Sequence, residues 1–148
     1  MIAKNPARQR AIPAALAFFR MFVRMKAYLL VFVGGGLGSL LRYVAGRFLP
    51  ATINDVGFPT SILVVNVVAS ALLSAVVGWT LARSAGDDAR LLIGVGFCGG
   101  LSTFSSFSND TVVLLQNGRT GVAFLNIGLN VVLCLLASTG GLLIGQKL

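Results

Sequence analysis

Four long apolar runs divide this chain, separated by short segments rich in Pro, Gly, Asp and Arg. A helix crosses the ~30 Å hydrocarbon core of a bilayer with about 20 apolar residues. The pattern therefore predicts membrane-spanning helices at Tyr28–Leu49, Thr60–Leu81, Leu91–Leu115 and Gly121–Gly145. The loop "PATINDVGFPT" breaks the chain with two prolines, and "ARSAGDDAR" separates the second and third runs. Residues 1–27 differ from the rest. They form a basic, weakly amphipathic leader, set apart from a membrane domain spanning 28–148. Arg20, Arg24 and Lys26 follow its short apolar core "AIPAALAFF" directly, which argues against a cleaved signal peptide. Two readings of the leader stand: a helix lying in the headgroups, or a non-native extension preceding a start at Met25.

The polar residues inside the runs change the picture. Span one holds Gly34 and Gly38 in GxxxG spacing, which suits close helix packing. It also holds Arg42, either an anion attractor facing protein or water, or a long-reaching interface anchor. Span two holds Asn66, which could glue helices or line a path. In span four, Asn126, Asn130, Cys134 and Ser138 recur every four residues, one stripe on a helix. Span three holds "GFCGGLSTFSSFSND" at residues 96–110. Polar groups at membrane depth are expensive and mark function. Gly99-Gly100 predicts a helix interruption, with freed carbonyls able to ligate a small hard cation. Ser102 or Thr103 can cap the half-helix that follows. Phe104 and Phe107 lie three apart, beside Ser105 and Ser106. They either pack conventionally or turn their electropositive ring edges toward an anion.

Composition then narrows the chemistry. Of 148 residues, 56% are hydrophobic and 11% charged; soluble proteins carry about 25% charged residues. The net charge of +8 does not indicate nucleic acid, because the basic residues sit in the leader and at segment ends. Histidine and glutamate are absent, and the acids are Asp55, Asp87, Asp88 and Asp110. That leaves little for acid/base catalysis, so an enzyme is not expected. Cys98 and Cys134 read as buried apolar side chains. "GVGFCG" matches a dinucleotide-binding pattern only formally, since no strand precedes it. Donor-rich stripes without fixed carboxylates along most of their length suit a small anion moving through a helical membrane protein.

"GGGLGSLLRYVAGR", "FPTSILVVNVVAS" and "GFCGGLSTFSSFSND", in this order, resemble the Fluc (CrcB) family of fluoride channels over residues 30–145. The resemblance implies an all-α, antiparallel, dual-topology homodimer of four-helix subunits in the cell (inner or plasma) membrane. It implies a path lined by Asn66, Phe104, Phe107, Ser105, Ser106, Asn126 and Asn130, and the depth of Arg42 in span one places it on the same route as an anion attractor. It also implies a structural sodium ion at the dimer centre, held by the backbone carbonyls of Gly99 and Ser102. Ser102 stands where the family usually has Thr, and Asp110 where Glu is common. Two asparagines in span four replace frequent hydroxyl residues. Counted from Met25, Lys26, Arg83, Arg90 and Lys147 fall on one side and Arg47 and Arg119 on the other, a small bias compatible with dual insertion. The full leader adds Lys4, Arg8, Arg10, Arg20 and Arg24 to the first side, which favours one orientation. The rival readings are a proton-coupled four-helix multidrug exporter, for which only Asp110 could serve, and a non-transporting membrane assembly subunit.

Overall fold

The computed structural model describes residues 6–49, 57–83 and 87–148. Lys4 and Asp55 lie outside the described residues. The described chain is helical: α1 (Pro6–Phe48), α2 (Thr60–Arg83), α3 (Asp87–Ala89), a π-helical stretch (Arg90–Cys98), α4 (Gly99–Leu101), α5 (Phe104–Gln116) and α6 (Thr120–Lys147). Among the described residues, four segments are long and apolar enough to cross a membrane: Arg24–Phe48, Thr60–Arg83, Asp87–Gln116 and Thr120–Lys147. These are the four spans that the apolar runs predict. α1 continues through the expected leader boundary without a break and has 43 residues. At 1.5 Å per residue it is ~65 Å long, about twice the hydrocarbon thickness.

The membrane-spanning segments have an apolar outer surface. Phe32, Leu40, Leu81, Leu125, Leu135 and Leu136 are all exposed. Water would make such a surface aggregate, whereas lipid makes it the low-energy face. The interior is correspondingly small. Val65, Ala69, Cys98 and Leu101 form the buried apolar cluster, with Ala45 and Phe97 packed against it.

With little area to bury, the helices associate through backbone proximity. α1 lies against the first half of the third span. A Cβ on Gly34 or Gly38 would overlap the carbonyl oxygen of Leu92 or Phe97. A second seam joins α2 to α6, where a Cβ on Gly141 or Gly145 would overlap the carbonyl of Ala71 or Ala75. The GxxxG spacing in span one is thus used for contact. At one end of the bundle Lys26 pairs with Asp88, and Arg83 donates to the Leu148 carbonyl. At the other end Gly57, with φ +63°, lies against the Arg119 guanidinium.

The interruption expected at Gly99-Gly100 needs correction. Both glycines belong to α4, and Gly99 has φ −64° and ψ −35°. The residues with extended backbone are Ser102 (φ −74°, ψ 153°) and Thr103 (φ −151°, ψ 114°). Gly100 has a different use: a Cβ there would overlap the Gly35 carbonyl, so it completes the seam with α1. Glycine at this point permits close approach rather than a change of backbone direction.

Gly38→Ala is expected to lower stability by about 1–3 kcal/mol, the order of an overpacked contact. Thermal unfolding in detergent reads this as a lower midpoint. Gly46→Ala, whose added Cβ meets nothing within 4 Å beyond its own neighbouring backbone, should not lower it. Equal midpoints for Gly38→Ala and the parent would refute the tight seam.

Candidate functional site

Extended backbone at membrane depth leaves N–H and C=O groups without helical partners, and each must be satisfied by protein. Side chains from other helices do so here. Thr103 N–H donates to Asn66 Oδ1 at 2.8 Å, instead of to the Gly99 carbonyl four residues back. Asn66 Nδ2 reaches the Thr103 carbonyl at 3.4 Å. Arg42 Nη1 donates to the Ser102 carbonyl at 3.2 Å, and Ser39 Oγ to the Gly100 carbonyl at 3.5 Å. Ser102 closes α4 by its N–H and hydroxyl, both donating to the Cys98 carbonyl. Thr103 is the N-cap of α5: its Oγ1 accepts from Ser106 N–H at 3.2 Å. Of the two capping residues left open by the sequence, Thr103 caps the second half-helix and Ser102 ends the first.

The polar stripe of α6 meets this region from behind. Asn130 Oδ1 accepts from Asn66 Nδ2 at 3.2 Å. Asn130 Nδ2 donates to Asn126 Oδ1 at 2.9 Å and to the Asn126 carbonyl at 3.0 Å. Asn126 Nδ2 donates to Thr111 Oγ1 at 2.9 Å, and the Thr111 hydroxyl donates to the Phe107 carbonyl at 2.8 Å. Asn126 is fully buried, and Asn130 and Thr111 are nearly so. Among the described residues, no buried side-chain nitrogen or oxygen lacks a partner.

Two hollows flank the extended residues. A cavity of about 270 Å³ is lined by Asn66, Thr103, Phe104, Phe107, Asn130 and Cys134, with Ser70, Ser102 and Val131 completing its wall. The Phe104 and Phe107 rings have centroids 5.5 Å apart and an interplanar angle of 48°. Phe104 is 79% exposed on the outer surface, so its ring presents an uncovered edge of the cavity. A larger cleft of about 750 Å³ lies toward the Gly57–Arg119 end, where Ser61, Ser106, Asp110, Asn117 and Arg119 contribute its polar lining. Thr103 and Ser106 join the two hollows, their hydroxyls hydrogen-bonded at 3.1 Å.

The structure therefore gathers Asn66, Phe104, Phe107 and Asn130 in one cavity. Ser106 faces the larger cleft. Ser105 is exposed, with its hydroxyl 3.1 Å from that of Thr103. Asn126 lies behind Asn130, and Arg42 reaches the Ser102 carbonyl. Thr111 escaped the sequence reading. Its partner Asn126 is 15 residues away on another helix, and no local spacing signals that contact.

Fold and site together define a small multi-pass helical membrane protein organised around a hydrogen-bonded polar interior. Comparison places it more closely: residues 29–142 match the model of the family described as CrcB-like protein, Camphor Resistance (CrcB), and the chain belongs to that family. It is 39% identical to the fluoride-specific ion channel FluC of Novosphingobium aromaticivorans, over 84% of this chain and 96% of that protein. It is 45% identical to FluC of Thermus thermophilus, over 68% and 80%. It is 36% identical to FluC of Pyrococcus abyssi, over 84% and 100%.

Thr103→Val should destabilise the protein by about 1 kcal/mol through loss of the cap, whereas Thr103→Ser keeps it. Unfolding of purified protein in detergent checks this. Equal loss in both variants would mean that the hydroxyl is not what matters.

Proposed function

We propose that this protein is a fluoride-selective channel of the cell membrane, which lets fluoride leave the cytoplasm passively. The observation that carries the reading is the cavity in which two phenylalanine rings meet the side chains of Asn66 and Asn130. Fluoride is small and strongly hydrated, so a route for it must replace water with closely spaced donors. Hydroxyls and amide N–H groups supply such donors, and ring edges add positive potential without a trapping charge. The route runs from the cleft beside Arg119 to Ser106 and Thr103, then into the cavity of Asn66, Phe104, Phe107 and Asn130. Ser105 and Asn126 extend the donor set at its margins, and Arg42 contributes a positive potential beside Ser102. No reaction is needed. An inside-negative potential drives the anion out with about 2.3 kcal/mol per charge per 100 mV. The relatives named as fluoride-specific channels support this reading.

The working unit in this proposal is an antiparallel homodimer. Phe104 lies on the outer face, where a second copy would close the cavity that one chain leaves open. A sodium ion would sit between the copies. The Gly99 and Ser102 carbonyls are neutral hard oxygens of the kind that suits it, and Thr103 N–H is turned to Asn66 rather than to Gly99. The Ser102 carbonyl already receives Arg42, so a cation there competes with the guanidinium. In this chain Gly99 is the less encumbered ligand.

Fluoride efflux from liposomes, with valinomycin and potassium setting the voltage, tests the reading against chloride in parallel. Fluoride should leave rapidly and chloride should not. Phe104→Ile should slow fluoride about tenfold or more, equivalent to ~1.4 kcal/mol on the barrier, with assembly intact. Unchanged flux would remove the ring-edge mechanism. Release of neither ion from folded protein would shift the weight to a proton-coupled exporter using Asp110. Exchanging sodium for a large organic cation should lower the thermal midpoint, and no change would argue against the carbonyl site.

A further inference from the structure

Five hydrogen bonds run head to tail from Thr103 back to the same helix at Phe107, by way of α2 and α6. Thr103 N–H donates to Asn66, Asn66 to Asn130, Asn130 to Asn126, Asn126 to Thr111, and Thr111 to the Phe107 carbonyl. The direction is fixed at both ends. A backbone N–H can only donate, so Asn66 must turn its oxygen toward Thr103. Its NH2 group then meets the oxygen of Asn130, and the NH2 of Asn130 meets the oxygen of Asn126. The NH2 of Asn126 is left facing Thr111, whose hydroxyl accepts it and donates onward to a carbonyl that can only accept. Reversing any one amide sets donor against donor at a neighbour.

This direction matters for an anion. An amide offers an NH2 group that attracts an anion and an oxygen that repels it. In this arrangement each of the three amide oxygens already holds a donor. The amides lining the cavity, Asn66 and Asn130, therefore have their negative ends covered. The second bond from Asn66 Nδ2, to the Thr103 carbonyl, is long at 3.4 Å, so a bound anion competes with a weak partner.

We propose that Thr111 is a positioning residue of the anion path. It fixes the orientation of Asn126 at one end of the relay, as Thr103 N–H fixes that of Asn66 at the other, so that both amides lining the cavity keep their oxygens masked. It does so from a buried place on α5, one asparagine removed from the cavity wall. The inference deepens the fluoride-channel reading and rests on it for its consequence on flux. Its structural content stands apart, and the two parts of the test separate them.

Thr111→Val keeps the shape and removes the hydroxyl; Thr111→Ser keeps the hydroxyl. In voltage-driven liposome efflux, Thr111→Val should lose about tenfold in fluoride rate, the scale of one buried donor left unpaired, and its fluoride-to-chloride ratio should fall. Thr111→Ser should retain both. The second readout is a double-mutant cycle on unfolding stability with Asn66→Leu, three hydrogen bonds away along the relay. With Asn66 gone the remaining amides are released from the Thr103 end and can turn to satisfy themselves, so the two losses should add to less than their sum. Simple additivity would overturn the relay whatever the flux. A parent that conducts fluoride no faster than Thr111→Val would overturn the role in permeation. A folded parent that conducts none would sink the channel reading, and the cycle would still decide the relay. Should Thr111→Val fail to fold, Thr111→Ala replaces it in both readouts.

Discussion

The hydrogen bond from Thr103 N–H to the Asn66 amide oxygen is the interaction on which the rest of the molecule turns. A backbone leaving helical geometry inside a bilayer exposes groups that lipid cannot solvate. Asn66 meets the donor at 2.8 Å, and the cap formed by the same residue's hydroxyl starts the next helix. Without a partner for that N–H, the low-energy course is to continue the helix through Ser102 and Thr103. The hollow between the phenylalanines and the asparagines would then lose its geometry. One side chain on α2 thus decides the shape of the third span.

The spans were legible because the apolar runs are long and nothing else in the chain has that length. The stripe on α6 was legible for a similar reason: a period of four is local, and Asn126 and Asn130 hydrogen-bond at that spacing. The place of the interruption was not. Glycine signals two things, freedom of backbone direction and absence of a Cβ, and sequence does not separate them. At Gly100 the second is in use, because the Gly35 carbonyl occupies the space. The extended residues are serine and threonine, held by contacts from Arg42 and Asn66 that lie 60 and 37 positions away. Thr111 was illegible for the same reason. A threonine that donates to the carbonyl four residues back looks like any other in an apolar helix, until an asparagine from another helix arrives on its oxygen.

Polar chemistry and packing are divided between different contacts in this bundle. Backbone-to-glycine proximity holds α1 to the first half of the third span and α2 to α6. Hydrogen bonds hold the second half of that span to α2 and α6. Neither needs a large apolar interior, and the buried cluster is only a few side chains. The lipid-facing surface is left free to be apolar all round, and the inner faces free to carry amides.

The third span is consequently anchored in two different ways along its length. Its first half is bedded on α1 through carbonyls that touch glycine, a contact with almost no slack. Its second half is tied to α2 and α6 by directional bonds that can lengthen or tilt slightly before they break. The two residues between them, Ser102 and Thr103, form a mechanical joint within one continuous strand of chain. Squeezing or thinning of the surrounding bilayer would shear one anchorage against the other, and the deformation would gather at that joint. The hollow lined by Asn66, Phe104, Phe107 and Asn130 sits directly beside that joint.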